Sequence, residues 1–171
     1  MTIPIMLGGI PLELHSGAPV LSEEPIGGES SVRLSGGALV SMTHWERMSG
    51  SISGSGWMPP GLHGLDYSQP LELRSTKVQS IAGAGLAYTL RGTPRPDVAP
   101  WAQALVSGQW VDTSCSVSGG VATVTAVTAV TGATLYRVCW MPIYSVKAKR
   151  PSETQDSGTA SHSWSITWEE T

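Results

Sequence analysis

The chain has 171 residues, of which 40% are apolar and only 13% charged, with a formal net charge of -3 and a pI near 5.7. That length fits one domain with a real core, and the acidic balance excludes the electrostatic footprint of a DNA- or RNA-backbone binder. With about half the usual share of charge, the surface must be carried by Ser, Thr, Gly and Gln, or be covered by partners.

The opening MTIPIMLGGIPLEL has no basic stretch and breaks at Gly8 and Gly9, so no signal peptide is expected. No apolar run approaches the ~18 residues of a membrane span. Cys115 and Cys139 read as two buried thiols rather than a secreted disulfide framework, although a fold that brought them together would let them pair. The expected setting is synthesis in a reducing cytoplasm without membrane insertion.

Period-2 alternation marks strands with one buried face. Leu12 and Leu14 alternate with Glu13 and His15, Leu71 and Leu73 with Glu72 and Arg74, and Leu86, Tyr88 and Leu90 with Ala87, Thr89 and Arg91. At the C-terminus Trp164, Ile166 and Trp168 share one face, against Ser163, Ser165, Thr167 and Glu169, and are expected to point into the core and pair with the strand at 134–146. Turn signals stand between the runs at Gly8-Gly9, Gly36-Gly37, Gly83-Ala84-Gly85 and Gly119-Gly120, the glycines admitting positive φ in hairpin loops. Strands are predicted at 3–7, 11–15, 31–34, 38–43, 49–57, 70–75, 77–82, 86–91, 109–117, 121–131, 134–146 and 161–169. In the stretch 121–131 valines recur every three residues, which a bulge near Ala126 reconciles with a strand.

One short helix is predicted in DVAPWAQALVSG, with Asp97 near its start, Pro100 in its first turn, Trp101 and Leu105 on one face, and Gly108 as its stop. The fold class is therefore all-β: one antiparallel β-sandwich or barrel over 1–171, with one flanking helix.

Two loops stand out. The segment 57–67, WMPPGLHGLDY, holds Trp57, Pro59 and Pro60 and is too apolar for a loose linker. The segment Lys147 to Ala160 has the composition of a long, mobile, polar hairpin loop. It reads either as a solvated loop or as a subunit contact in which Lys147, Lys149 and Arg150 meet acidic groups while Glu153 and Asp156 meet basic ones.

Sequence signatures of chemistry are sparse. There is no G-x-S-x-G, Walker loop, G-x-G-x-x-G or C-x-x-C. His44-Trp45-Glu46 matches half of a zinc-deaminase signature without its P-C-x-x-C half, and reads as strand or turn with Trp45 inward. His15, His44, His63 and His162 are scattered. No catalytic, metal or cofactor site is predicted. The chain has seven Trp and no Phe. Trp140, Trp164 and Trp168 are read as core or interface, whereas Trp45, Trp57 or Trp110 offers the aromatic platform of a carbohydrate-binding or adhesin-like sandwich.

The segments SISGSGWMPPGLHGLDYSQPLELRST (51–76), YRVCWMPIYSVKAKR (136–150) and SHSWSITWEE (161–170) resemble small tail proteins of siphophages, above all distal-tail proteins. The resemblance implies a tail-tube-like sandwich with a flanking helix, a homo-oligomeric, hexameric ring around a channel, and the tail tube and tail-tip hub as neighbours. It places the protein in the virion tail, assembled in the host cytoplasm. Larger distal-tail proteins carry a second, outward domain for which this chain has no room, so a minimal version, a tail-tube relative or a terminator relative is implied.

Overall fold

The computed structural model describes residues 3–12, 14–125 and 132–171. In chain order its strands are β1 (Met6–Leu7), β2 (Ile10–Pro11), β3 (Val20–Arg33), β4 (Leu39–Gly56), β5 (Leu71–Arg74), β6 (Gln79–Gly83), β7 (Ala87–Thr89) and β8 (Thr93–Pro94). There follow β9 (Trp101–Val106), β10 (Gln109–Thr113), β11 (Cys115–Ser118), β12 (Val121–Val124), β13 (Ala133–Trp140), β14 (Pro142–Ala148), β15 (Ser152–Asp156) and β16 (Ser161–Glu170). The fold is all-β, built from antiparallel sheets. Among the described residues the helical content is two single 3-10 turns, Leu14–Ser16 and Leu62–Gly64.

The chain divides into two compact units, one of residues 1–5 and 73–144, the other of 6–72 and 145–171. In the first, the four-stranded sheet β10-β9-β13-β6 and the three-stranded sheet β11-β12-β7 contribute to one core. Tyr88, Leu90, Ala102, Ala122, Val124, Val138 and Trp140 fill it. The Tyr88 hydroxyl reaches the carbonyls of Gly83 and Gly85 (2.9 and 2.5 Å) and so fixes the turn between them. That turn joins strands of two different sheets rather than closing a hairpin. Arg95, 1% exposed, lies in the same unit and forms a two-pronged pair with Asp97 (2.8 and 2.7 Å) while donating to the carbonyls of Pro4 and Ser75.

The nine-stranded sheet runs β2-β1-β5-β14-β16-β4-β3, with β15 added beside β16 and β8 beside β14, and β1, β2, β3, β4, β15 and β16 lie wholly within the second unit. Leu7, Leu12, Ile52, Leu62, Val146, Ala148, Trp164, Ile166 and Trp168 are buried apolar residues of the second unit. Trp164 Nε1 donates to the Ser16 carbonyl (2.7 Å), tying the first 3-10 turn to β16.

The expected burial of Trp164, Ile166 and Trp168 is found, and Trp140 is buried as well. Their strand pairs mainly with β4, from His162↔Gly56 to Glu169↔Ser49, and meets β14 only at Val146–Ala148. Two-residue turns at Gly8-Gly9 and Gly119-Gly120 take positive φ at both positions, as their glycines predict.

Three expectations are corrected. The helix over 97–108 is strand β9: Ala102 and Ala104 alternate into the core, and Ser107-Gly108 (φ 50 and 80) makes a two-residue hairpin turn to β10. Asp97 serves Arg95 instead of starting a helix. The strand at 11–15 gives way to the turn Leu14–Ser16. The loop Lys147–Ala160 is half strand, because β14 runs to Ala148 and Ser152–Asp156 adds to the open side of β16. Of the strand predicted at 121–131, β12 covers Val121–Val124, and the bulge near Ala126 lies outside the described residues.

Candidate interaction surface

Three features of the second unit face solvent with a composition suited to contact. The first is the β3–β4 ribbon. The turn Leu34–Ala38 closes it, with Gly37 at φ 80 and backbone bonds Gly37 N to Leu34 O (2.8 Å) and Leu34 N to Ala38 O (2.9 Å). β16 flanks β4 only from Ser49 to Gly56. Among the described residues, β4 from Met48 outward pairs with β3 alone, through Pro25↔Met48, Ile26↔Arg47, Ser30↔Met42, Val32↔Val40 and Arg33↔Leu39. The root is held at the C-terminus: Met48 N donates to Glu170 Oε2 (2.9 Å) and Arg47 Nε to the Thr171 carbonyl (3.2 Å). Beyond that root the ribbon is two strands wide.

The second feature joins the two segments singled out in the sequence. His63 Nε2 stands 3.1 Å from Glu153 Oε2, and Lys147 Nζ donates to the Ser68 carbonyl. Burial pushes the Tyr67 hydroxyl's pKa up, with Arg150 pulling it down and Glu153 raising it further, so both charges act on the same loop. Lys149 and Arg150 are exposed, the Lys149 amide donating to Thr167 O (3.0 Å). Asp156 is a turn former: it accepts from Gly158 N (2.8 Å) and Thr159 Oγ1 (2.9 Å), and these bonds hold its carboxyl below the usual range. Trp57 is exposed and tilts against His15 (ring centroids 5.9 Å apart), Pro59 is half-buried and Pro60 buried. Glu153 thus meets the loop that Trp57, Pro59 and Pro60 begin, Lys147 bonds to Ser68 just beyond its end, and the Arg150 charge acts on Tyr67.

The third is a groove of about 620 Å³ whose lining includes Glu24, Ser49, Lys147, Lys149, Trp168 and Glu169. Its rim is charged with both signs.

Among the described residues no group of three or more His, Cys, Asp or Glu is placed to hold a metal ion. His44 is the unpaired residue of the bulge opposite Gly28 and Glu29, 3.3 Å from Ser30 Oγ. Trp45 is 51% exposed, not inward as its triplet suggested. Of the three tryptophans weighed as sugar platforms, Trp110 has Arg137 Cζ stacked 4.4 Å over its ring, and Trp45 lies close against Gly28. Cys115 and Cys139 are free thiols, half-buried and buried. Among the described residues no helix is long and apolar enough to cross a membrane.

The sequence predicts the tip of the ribbon, strands 31–34 and 38–43 about the Gly36-Gly37 turn, but not its length, since β3 begins at Val20 and β4 continues to Gly56. Its outer half is spread over two strands whose alternation looks like any half-buried pair, and what makes it distinctive is that no third strand flanks it among the described residues.

Compared with models of protein families and with curated proteins, the chain matches no family model and no curated protein.

Proposed function

We propose that this chain is a structural, non-enzymatic virion protein of a long-tailed bacteriophage, a ring-forming distal-tail component joining the tail tube to the tip. Its partners on this reading are further copies of itself, in a ring of six, and the adjoining tube and tip proteins. The observation that carries the assembly part of the reading is the free-standing β3–β4 ribbon. An isolated two-stranded hairpin is marginal in water, and this one exposes Val32 (58%), Met42 (53%) and Trp45 (51%). Such a ribbon gains most when a neighbour covers it. The resemblance of 51–76, 136–150 and 161–170 to siphophage tail proteins supports the virion part. Light scattering and electron micrographs of the purified chain test the first part, with rings expected. Antibody labelling of intact tails tests the second, with label at the distal end. A monomer at all concentrations together with unlabelled tails overturns the proposal. Glycan binding by that monomer would instead favour a carbohydrate-binding module.

A further inference from the structure

The groove of about 620 Å³ in the second unit runs over three successive cross-strand rows of one sheet. Directly opposed residues of an antiparallel pair share a face. One outward row reads Glu24, Ser49, Glu169 and Lys147 across β3, β4, β16 and β14. The other reads Ser22, Ser51 and Thr167, with the Lys149 amide on the Thr167 carbonyl. The row between them turns its side chains to the opposite face, where Trp168 is buried over Gly50. The groove thus has a floor of short hydroxyls between longer charged walls, Glu24 on one side and Glu169, Lys147 and Lys149 on the other. Its volume lies within the roughly 300 to 1,000 Å³ usual for small-ligand sites.

Two observations here point to a ligand. Ser49 is only 8% exposed, and among the described residues its hydroxyl has no hydrogen-bond partner. A hydroxyl kept so far from water without a partner is costly until something completes it. Glu24 and Glu169 flank it on the adjacent strands, and among the described residues neither carboxylate, nor the Lys149 ammonium, makes a hydrogen bond or ion pair. Other groups of the groove are engaged: the Ser22 and Ser51 hydroxyls stand 2.9 Å apart, and Lys147 Nζ donates to the Ser68 carbonyl.

We propose that this groove binds a neutral, hydroxyl-rich ligand, a saccharide. Charge decides the class. An anion reaching Ser49 would come between the Glu24 and Glu169 carboxylates, and a cation would meet Lys147 and Lys149 on the wall that holds Glu169. The two acids and two amines on the outward rows balance, which favours a ligand without net charge. A sugar hydroxyl is donor and acceptor at once. It can donate to Glu24 and Glu169, accept from Lys149, and do either with Ser49. Strands about 4.8 Å apart put Ser49 midway between carboxylate-bearing strands about 10 Å apart, so one ligand reaches all three. The site uses no residue of the β3–β4 ribbon beyond its root, so it stands or falls apart from the assembly reading.

Calorimetric titration of the full chain with three neutral hexasaccharides, maltohexaose, mannohexaose and chitohexaose, tests the proposal. At least one should bind. Glu24→Gln and Glu169→Gln change exposed positions and should each weaken that binding about tenfold, the difference between a charged and a neutral acceptor. Ser49→Ala should weaken it severalfold, with the melting temperature of all three variants close to that of the unsubstituted chain. Trp57→Ala removes an exposed indole outside the groove and should leave binding unchanged. Absence of binding by all three sugars overturns the proposal. Binding that survives the Glu24, Glu169 and Ser49 substitutions, or that is lost in Trp57→Ala instead, puts the saccharide elsewhere and overturns the groove as its site. Tighter binding of hexagalacturonate or of a chitosan hexamer than of any neutral hexasaccharide overturns the choice of an uncharged ligand.

Discussion

Trp168 lies across Gly50, the residue opposite it on β4: a Cβ built on Gly50 would stand 3.0 Å from Trp168 Cζ2 and 2.0 Å from the Ser22 carbonyl oxygen. One register step of four residues away, Trp164 lies across Gly54 in the same manner, with 2.8 Å between that Cβ and Cζ2. The glycines of β4 are there to receive indole rings from β16. Gly50→Ala and Gly54→Ala should each cost about 1 to 3 kcal/mol in chemical denaturation, as overpacking does. Gly28→Ala, which faces the exposed Trp45, should cost much less because that ring can swing away into solvent. Trp164→Ala should cost about 3 to 5 kcal/mol, and a negligible effect would place its face outside the core.

The Arg95–Asp97 pair makes stability depend on acid in a defined direction. The hydrogen bonds from Arg95, aided by the Arg95 and Arg74 charges, hold the Asp97 carboxyl below its ordinary range. A depressed carboxylate contributes stability that is fully present above its unfolded value of about 3.9 and is lost as pH falls through the folded value. Asp97→Asn should flatten the stability profile below about pH 4. Arg95→Met leaves the carbonyls of Pro4 and Ser75 without their buried donor, and a loss of about 3 kcal/mol is expected near neutral pH.

How much was legible follows from what each strand buries. β16 was plain because Trp164, Ile166 and Trp168 all face one core, and the Gly-Gly turns were plain because only glycine takes positive φ so cheaply. β9 read as a helix because Ala, Gln and Leu are good helix formers, yet what decided it was two alanines small enough to lie in the core at period 2. Most of β3 went unread because Pro25, Gly27 and Gly28 oppose a central strand, but β3 is the sheet's outermost strand, where proline and a bulge are tolerated and blunt the open edge. The interface candidates around Glu153 were legible as a polar cluster. The apolar face of the ribbon was not, since nothing in the pattern of Val32, Val40 and Met42 says that no sheet lies beneath them.

The thiols should be slow in the native protein. Burial pushes both Cys115 and Cys139 up from their ordinary pKa, so little thiolate is present near neutral pH. A thiol reagent at pH 7.5 should titrate two groups promptly in denaturant but neither promptly in buffer, with the half-buried Cys115 the faster of the two. Rapid native reaction at Cys139 would contradict its place in the four-stranded sheet.

β15 should prove to be an edge guard for β16 rather than a spare loop. It pairs from Ser152↔Ser165 to Asp156↔Ser161, along the side of β16 that β4 leaves open, while β14 takes that side only from Trp168 to Glu170. The Lys149 amide bonds to Thr167, so the ends of a deletion from 150 to 160 sit about 20 Å apart along β16. A short glycine turn cannot span them. Replacing residues 151–158 by an eight-residue Gly/Ser segment keeps the reach and removes the pairing. The core around Trp164 and Trp168 does not depend on β15, so the β-sheet circular dichroism should persist with a small drop in stability. The uncovered row from Ser161 to Ser165 is then an open strand edge, and concentration-dependent aggregation by light scattering is the expected result. A replacement that leaves both stability and solubility unchanged would mean that β15 guards nothing.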